Sequence, residues 1–504
     1  MIVLYNPLST TPGKQPLPLS LMALAAVLEP SESWALVDGN VAPDPAAELI
    51  ARLTDVPRSL TPLLAVSVMP GPQLTQAVAV CARVKAALPH VPIVWGGYFP
   101  TQHTDTVLRA PYVDFVIRSQ GEVALLQLLK VLRTGGMLNS VGGLSWKTGR
   151  ATASAGRQPE IVHNPLQPLA NLDDLPELPY HRVPMGRYIH PNYLGDRTMA
   201  HNSSFGCPFA CSFCAVVAMS NRRWLAQSPA RMERVMRHLV TTYKIDGIQM
   251  HDMDFFIDEA RTAEFCERIA GLGLRWWALG RADTIMQYSD ATWTKMARSG
   301  LKMLFSGAES GADAALARMN KGGKASSALT LQYAERLRRH GIVPEFSFVL
   351  GCPPDPMQDV DTTFAFIRRV KQINPAAEIV LYTYTPVPLD GTLYTEARRL
   401  GFAFPETLEQ WASPEWEQLS MRRGDGLRWL DRSTGDIRRR VRDFERVVNA
   451  FYPTVTDLRL TGWRRAALRA AGSLRYRLQW YRAPYELRAL NRLIQYQRPE
   501  TTGF

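Results

Sequence analysis

Short apolar runs alternate with amphipathic stretches over roughly the first 135 residues of the chain. The segment Gln73–Leu88 has apolar residues at helical spacing and predicts one of the helices between the runs. Alternation of strand and helix is typical of a doubly wound parallel sheet, in which ligands lie at the carboxyl ends of the strands. The apolar runs predict strands at Ile2–Tyr5, Trp34–Val37, Leu63–Val68, Ile93–Trp95 and Phe115–Ile117.

A second alternation follows a segment with little regular pattern. Residues 139–195 are expected to be a connector, because the stretch Pro165–Pro184 is rich in Pro, Leu and Asp. Residues 196–400 predict a full or partial (β/α) TIM-type barrel with its active site at the carboxyl ends of the strands. Residues 401–504 are rich in Arg and Trp and predict a mainly helical region. The predicted barrel strands are Ile248–Met250, Trp276–Leu279, Met303–Ser306, Glu345–Leu350 and Glu378–Tyr382.

Composition places the chain among globular proteins. It has 504 residues, of which 46% are hydrophobic and 21% charged. The N-terminus lacks the basic start of a signal peptide, and the apolar stretch Leu17–Leu28 is too short to span a membrane. We therefore expect a cytoplasmic protein.

The net charge of +12 is concentrated near the C-terminus, where residues 431–504 contain sixteen Arg, no Lys and seven acidic residues. The segment Asp457–Arg482 combines these arginines with apolar side chains such as Leu458, Trp463 and Trp480. A basic amphipathic helix of this kind can lie at the inner face of an anionic membrane. It can equally close the active site over an acidic or lipid-like substrate, or form a solvated cap. We expect no nucleic-acid partner, because no RNA- or DNA-binding module is recognisable.

Three of the six cysteines lie within eight residues, at Cys207, Cys211 and Cys214. Three thiolates fill three irons of a [4Fe–4S] cluster and leave the fourth iron open to another ligand. The alternative is structural zinc with a fourth ligand from His201 or His251. The remaining cysteines are expected to be inert core residues: Cys81, Cys266 and Cys352.

The run from Ser204 to Cys214 resembles the CxxxCxφC signature of radical S-adenosylmethionine (SAM) enzymes, with Phe213 as the aromatic residue. Three later segments also resemble that family: His251-Asp-Met-Asp254, Gly280-Arg-Ala-Asp283 and Gly307-Ala-Glu-Ser-Gly311. The resemblance implies that SAM chelates the open iron and is cleaved reductively to a 5′-deoxyadenosyl radical. It implies these SAM-binding residues: Phe213, Asp252, Asp254, Arg281 and Glu309.

A doubly wound domain ahead of such a barrel resembles the cobalamin (B12)-binding branch of the family, with residues 1–138 as the Rossmann-like cobalamin-binding domain. One departure concerns Asp38-Gly-Asn40, which lacks the histidine of the Asp-x-His-x-x-Gly motif. We therefore expect cobalt without a histidine ligand, and the loop Met69–Gln73 over its lower face. The implied cobalamin-binding residues are Asp38, Ser67, Gly96, Gly97, Tyr98 and Glu122.

The resemblance implies a cobalamin-dependent radical SAM methyltransferase that transfers methyl from methylcobalamin to an unactivated centre. A non-methylating enzyme of the oxidative cyclase type, similar to anaerobic magnesium-protoporphyrin ester cyclase, has the same domain order. The alternative from a different functional class is a zinc-stabilised, non-catalytic binding protein, which could lie at a membrane surface. The expected partners of the enzyme are a small-molecule or lipid-like substrate and a reductant such as a flavodoxin or ferredoxin.

Overall fold

The first part of the chain is built on one sheet. The computed structural model describes residues 1–10, 13–57, 61–148, 160–321, 324–389, 391–420, 437–457 and 460–494. The sheet contains seven strands: β1 (Ile2–Asn6), β2 (Trp34–Asp38), β3 (Leu63–Ser67), β4 (Ile93–Gly96), β5 (Phe115–Ile117), β6 (Leu144–Thr148) and β7 (Glu160–His163). The helices between and after the first five strands are α1 (Leu19–Leu28), α2 (Pro45–Thr54), α3 (Pro72–Ala87), α4 (Tyr98–Gln102), α5 (Thr104–Arg109) and α6 (Glu122–Thr134).

The strand order is β2-β1-β3-β4-β5-β6-β7, and β1 to β5 pair in parallel. This confirms the predicted doubly wound sheet, and each of the five predicted strands ends within one residue of the observed one. All five side chains of β1 are buried, as expected of a central parallel strand. The order reverses between β1 and β3, where doubly wound proteins open a crevice for ligands.

Strands β6 and β7 lie inside the segment predicted as a connector. They form an antiparallel pair at the β5 edge of the sheet. Of their residues only Leu144 and Ser145 are buried, so the sequence lacks the continuous apolar run that marks a central strand. Residues 164–197 then run without long regular elements, apart from short 3₁₀ turns at Tyr180–Arg182 and Met185–Arg187.

The second sheet has six parallel strands in the order β15-β14-β13-β12-β11-β8 and forms the predicted partial barrel. Its strands are β8 (Thr198–His201), β11 (Gly247–Met250), β12 (Arg275–Leu279), β13 (Leu301–Glu309), β14 (Val343–Leu350) and β15 (Glu378–Thr383). A small ribbon after β8 pairs β9 (Ser204–Gly206) with β10 (Trp224–Ala226). Strand β8 is absent from the predicted strands, because its four residues are followed at once by polar residues.

Helices follow the strands of the barrel region. They are α7 (Val216–Ser220), α8 (Pro229–Tyr243), α9 (Glu259–Ile269), α10 (Ala282–Ile285), α11 (Asp290–Arg298), α12 (Asp313–Arg318), α13 (Ser327–Arg339), α14 (Pro356–Ile373) and α15 (Thr392–Arg399). Two of the longest helices begin with an N-cap side chain followed by proline. Ser228 caps α8 and Asp355 caps α14, each accepting a hydrogen bond from a backbone N–H of the first turn.

The C-terminal residues are divided between the two sheets. Their helices are α16 (Leu408–Trp411), α17 (Pro414–Ser420), α18 (Ile437–Phe451), α19 (Gly462–Arg477) and α20 (Tyr485–Ile494). Leu408 and Trp411 belong to a core of the first sheet, whereas Ile437 and Phe444 belong to the core of the barrel. Leu458, predicted within the basic helix, lies outside the described residues. Within the described ranges, no helix is both long and apolar enough to cross a bilayer.

Candidate functional site

The three clustered cysteines lie in the loop that follows β9. Gly206 precedes this loop with a φ of +80°, and any side chain there would collide with the carbonyl oxygen of Arg223, the residue before β10. The Cys214 N–H donates to the carbonyl of Cys211 across 3.1 Å, which turns the loop toward α7. None of the three thiols is in a disulfide. The loop geometry therefore depends on glycine at one end and a turn at the other.

The three thiols lie close enough to affect one another electrostatically. Burial raises the pKa of Cys207 to about 12 and that of Cys214 to about 11, and charge on the neighbouring sulfurs adds to both shifts. Burial also raises the pKa of Cys211, although Arg281 and Lys321 oppose this shift. A metal ion deprotonates such thiols when it binds, because its positive charge stabilises the thiolates that burial disfavours. The donor set of three thiols in one loop fits an iron–sulfur cluster with one open iron.

In the described ranges, no group of three or more His, Cys, Asp or Glu side chains, the three cysteines included, is arranged to hold a metal ion. The two histidines considered as zinc ligands are buried, which lowers the pKa of each to about 4. His201 faces the hydroxyl of Tyr180 across 3.3 Å, and His251 packs on the ring of Trp277.

Arg281, which follows β12, places a positive charge against the cysteine loop. Its Nη1 donates to Cys211 Sγ across 3.3 Å, while Nε and Nη2 donate to the two oxygens of Asp283. The guanidinium also lies 3.8 Å from the ring centre of Phe209 and donates to the carbonyl of Lys321. The side chain is 8% exposed, so these contacts hold it in one orientation.

Glu309 ends β13 in a left-handed conformation with a φ of +61°, next to an irregularity in the pairing with β14. Its Oε1 accepts a hydrogen bond from Lys321 Nζ across 2.7 Å, and both side chains are buried. Their charges influence both Cys211 and Cys214. Lys321 is therefore a site residue that the sequence predictions do not include, although it lies in the Met-Asn-Lys run after the Glu309 motif. Gly322, the next residue of that run, lies outside the described residues.

Two aspartates follow β11 but have different environments. Asp252 accepts hydrogen bonds from Ser203 and Ser204 and thereby anchors β9. Asp254 Oδ1 accepts from the Phe256 N–H across 3.1 Å, but its buried Oδ2 has no hydrogen-bond partner among the described residues. Burial raises the pKa of Asp254 to about 7. A buried oxygen of this kind calls for a donor, and a ligand can supply it.

Phe213 lies on the other side of the cysteine loop. It is partly buried and packs on an apolar cluster that includes Cys352 and Tyr384. Cys352, Cys81 and Cys266 are each almost fully buried, in agreement with their predicted place in the core.

At the carboxyl edge of the first sheet, three predicted cobalamin-binding residues are neighbours. Ser67 and Gly96 pair across β3 and β4, and Gly97 follows with a φ of +93°. A Cβ on Gly97 would lie 3.1 Å from Ser67 Oγ and 3.3 Å from the nitrogen of Val68, so this point needs glycine. Bare backbone at a strand end fits a large flat ligand, because such a ligand must approach the main chain closely.

The other predicted residues of this edge are more dispersed. Asp38 is separated from Ser67 by β1, and its two oxygens accept hydrogen bonds from Asn6, Asn40 and Tyr188. Glu122 begins α6 beyond β5, and burial raises its pKa. The Met69–Gln73 loop is closed by a hydrogen bond from the Met69 N–H to Gln73 Oε1.

Helix α4, which begins at Tyr98, connects the two halves of the site. Burial raises the pKa of Tyr98 to about 12, and the charge of Cys214 adds to this shift. Gln102, on the same helix α4, donates to the carbonyl of Ala215 across 3.5 Å, and α4 packs on α7. The carboxyl edge of the first sheet therefore meets the cysteine loop of the barrel.

A cavity of about 530 Å³ lies elsewhere, between β2, α2 and the connector. Its wall includes Trp34, Arg52, Arg182 and Tyr188. Of the predicted site residues it contains only Asp38, whose oxygens are already engaged. We therefore do not assign the cofactors to this cavity.

Comparison with known proteins agrees with this division of the site. Residues 6–129 match the B12 binding domain, and residues 201–367 match the radical SAM superfamily. An uncharacterized methyltransferase of Pyrococcus horikoshii is 25% identical over 70% of this chain and 73% of its own length. The anaerobic magnesium-protoporphyrin IX monomethyl ester cyclase of Synechocystis is 25% identical over 72% of this chain and 69% of its own length.

Among solved structures, the radical SAM methyltransferase TsrM of Kitasatospora setae, with cobalamin and a [4Fe–4S] cluster bound, is similar in fold. Its TM-score is 0.60 at 15% identity, covering 75% of this chain and 74% of that protein. The two family matches confirm the resemblance drawn from the sequence and the cofactors it implies, which are cobalamin, SAM and the iron–sulfur cluster. The chain belongs to the radical SAM enzymes that carry a B12-binding domain.

Proposed function

We propose that this enzyme is a cobalamin-dependent radical SAM methyltransferase with its [4Fe–4S] cluster on Cys207, Cys211 and Cys214. The observation that carries the proposal is the contact between the two halves of the site, where α4 packs on α7 and Gln102 donates to the carbonyl of Ala215, the residue after Cys214. A methyl donor and a radical generator have to reach the same substrate atom, so their sites must adjoin. The arrangement of α4 against α7 supports that requirement.

When bound, the cluster and cobalamin supply reductive cleavage of SAM and a methyl group for transfer. The chain's own residues hold and orient these groups. Asp254 Oδ2 would accept a hydrogen bond from the ammonium group of SAM, because it is buried without a protein donor. Arg281 would hold positive charge against Cys211, and Lys321 fixes the carboxylate of Glu309 beside the same loop. Asp252 and Phe213 would act by fixing the strand and the loop that carry the thiols.

The cobalamin half of the proposal rests on the strand ends of the first sheet. Gly96, Gly97 and Ser67 would form the floor beneath the ligand, with Tyr98 between cobalamin and the cluster. Glu122 would contact the ligand from the neighbouring strand end. Asp38 would act at a distance, by holding the loop between Asn6 and Asn40 in place.

A non-methylating oxidative cyclase is the second candidate. The relation to the Synechocystis cyclase favours it, since identity and coverage match those of the methyltransferase relative. In either case the substrate would be a small or lipid-like molecule, and a flavodoxin or ferredoxin would supply the electron for SAM cleavage.

The test begins with iron, cobalt and zinc per chain in protein produced anaerobically with cobalamin. The same protein is then incubated with SAM and a chemical reductant, and S-adenosylhomocysteine and 5′-deoxyadenosine are quantified. Methyl transfer through cobalamin predicts S-adenosylhomocysteine up to the amount of cobalt present, together with 5′-deoxyadenosine, whereas cyclisation predicts 5′-deoxyadenosine alone. The Cys211→Ala variant is the matched control and should lose 5′-deoxyadenosine. Zinc without iron would refute the radical chemistry, and iron without cobalt would refute methylation through cobalamin.

A further inference from the structure

Helix α19 is apolar on two opposite faces. One face packs inward through Leu468, Gly472 and Tyr476, which are buried. A Cβ on Gly472 would lie 2.8 Å from the nitrogen of Phe451 and 2.9 Å from the Cβ of Ala450. This close approach to α18 fixes the rotation of α19 about its own axis, and therefore fixes which side chains point outward.

The outward face is also apolar. At about 100° per residue, Trp463, Leu474 and Leu478 lie within about 60° of one another on this face. Their side chains are 71%, 64% and 65% exposed. Exposed Ala466 and Ala470 lie on the same side of the helix.

The apolar surface continues beyond the helix. Trp480, Tyr485 and Leu493 are 54%, 63% and 82% exposed. Of the eight large apolar side chains that are exposed in the described ranges, six lie between residues 463 and 493. Single exposed apolar residues are ordinary on a protein surface, but such a concentration marks a place where another phase or molecule binds.

The charge around this surface has one sign. Residues 460–494 contain eight Arg, no Lys and one acidic residue, Glu486, which accepts hydrogen bonds from the buried Arg475. Arg464 and Arg469 lie about 100–120° to either side of the Trp463 direction and so flank the apolar face. Arg477 is exposed at the end of the helix, about 40° from the Trp463 direction, and so places a positive charge on the apolar side itself.

We propose that the outward face of α19, together with Trp480 and Tyr485, binds the surface of an anionic phospholipid bilayer. A helix lies in such an interface when an apolar face is flanked by basic residues. Trp and Tyr favour the headgroup level, and arginine is attracted to anionic lipid. A bilayer receives large apolar side chains without a shaped groove, and its headgroups complement the arginines.

This surface is tied to the wall of the barrel. Arg368 of α14 donates to the carbonyl of Tyr476 and to the hydroxyl of Tyr481, and Arg440 of α18 pairs with Asp361 of α14. No group of the cysteine loop takes part in these contacts. Membrane binding is therefore independent of the proposed chemistry, and the two can fail separately.

The test is co-sedimentation of the full chain with vesicles of phosphatidylcholine alone or with one third phosphatidylglycerol. We expect binding to the anionic vesicles at least about tenfold stronger than to the neutral ones, and weakened by salt. The affinity of the double variant W463S/L474S for the vesicles should fall at least about tenfold, because the variant lacks apolar area that the bilayer would bury. The affinity of the variant R464Q/R469Q/R477Q for anionic vesicles should fall about fivefold for each charge removed.

Met137→Ser is the matched control, because Met137 is 72% exposed but lies in the first domain. It should bind like the unaltered chain. All variants replace exposed side chains, so circular dichroism and melting should match, and a variant that fails this check is replaced by the single changes. Equal binding to both kinds of vesicle, or unchanged binding of both multiple variants, would overturn the proposal. So would loss of a dimer in W463S/L474S without loss of vesicle binding, since the face would then bind a second copy.

Discussion

Replacing Arg281 with Gln removes a buried positive charge that touches Cys211 Sγ at 3.3 Å. The reduced form of an iron–sulfur cluster carries one more negative charge than the oxidised form. A positive charge beside a ligating sulfur therefore stabilises the reduced form more. We predict that the R281Q change lowers the reduction potential of the cluster.

The magnitude follows from the position of the guanidinium. Arg281 is 8% exposed, so bulk water screens it weakly. With an effective dielectric constant of about 20 and a separation of about 6 Å, the charge contributes about 3 kcal/mol. For a one-electron couple this corresponds to a potential about 120 mV lower in the variant.

Asp283 provides an internal check. Its carboxylate accepts from Arg281 Nε across 3.0 Å and from Nη2 across 2.6 Å, and it loses this partner in R281Q. The double variant R281Q/D283N keeps the pair neutral and should lose mainly the hydrogen bond to sulfur. That loss is worth about 1 kcal/mol, or about 40 mV.

The assay is a redox titration of the iron-loaded protein followed by electron paramagnetic resonance, with iron measured on every sample. Arg298→Gln is the matched control, because Arg298 is exposed at the end of α11 and should leave the potential unchanged. The electrostatic argument is wrong if R281Q binds a full complement of iron and its potential stays within about 30 mV of the unaltered protein. It is also wrong if the double variant shifts as far as the single one.

Three further predictions concern the cysteine loop, the first sheet and the C-terminal segment. Changing any one cysteine of the CxxxCxφC motif to Ala should abolish iron binding and colour. The control Cys81→Ala should keep the iron and lower the free energy of unfolding by about 1 kcal/mol. Metal analysis and thermal melting measure the two effects, and iron retained in all motif variants would contradict the site. Gly97→Val should abolish cobalt binding and leave iron intact, because the added Cβ would press on Ser67. The control is Gly135→Val, since Gly135 also has a positive φ but has no atom within 4 Å of an added Cβ, and this variant should keep cobalt. Burial lowers the pKa of His103 to about 4, so the unfolded chain takes up the proton first and stability falls as the pH drops from about 6.5 to 4, by up to about 3 kcal/mol. The His103→Phe variant should lose this dependence in acid-unfolding curves, and a parallel pH profile in both proteins would show that His103 does not titrate as described.

Some features of this protein are fixed by residues that are close in sequence. The three thiols occupy one loop, so their spacing together with the resemblance to the radical SAM signature predicts three cluster ligands. Parallel strands that are buried on both faces are continuous apolar runs, and this is why β1 to β5 were predictable to within one residue. Strands β6 and β7 were not predicted because β7 is the edge strand and only Leu144 and Ser145 of the pair are buried.

Other features needed the tertiary structure. Asp254, Arg281 and Glu309 follow three different strands, and only the order β13-β12-β11 brings them beside the same loop. Nothing in the sequence predicts that α4 packs on α7, or that Leu408 and Ile437 join the cores of different sheets. The exposed face of α19 also needed the tertiary structure. The sequence shows a basic helix with apolar residues on several sides, and its packing through Gly472 determines which of these residues face outward. Local spacing and periodicity determine ligands and strands, whereas contacts between distant segments depend on how the whole chain packs.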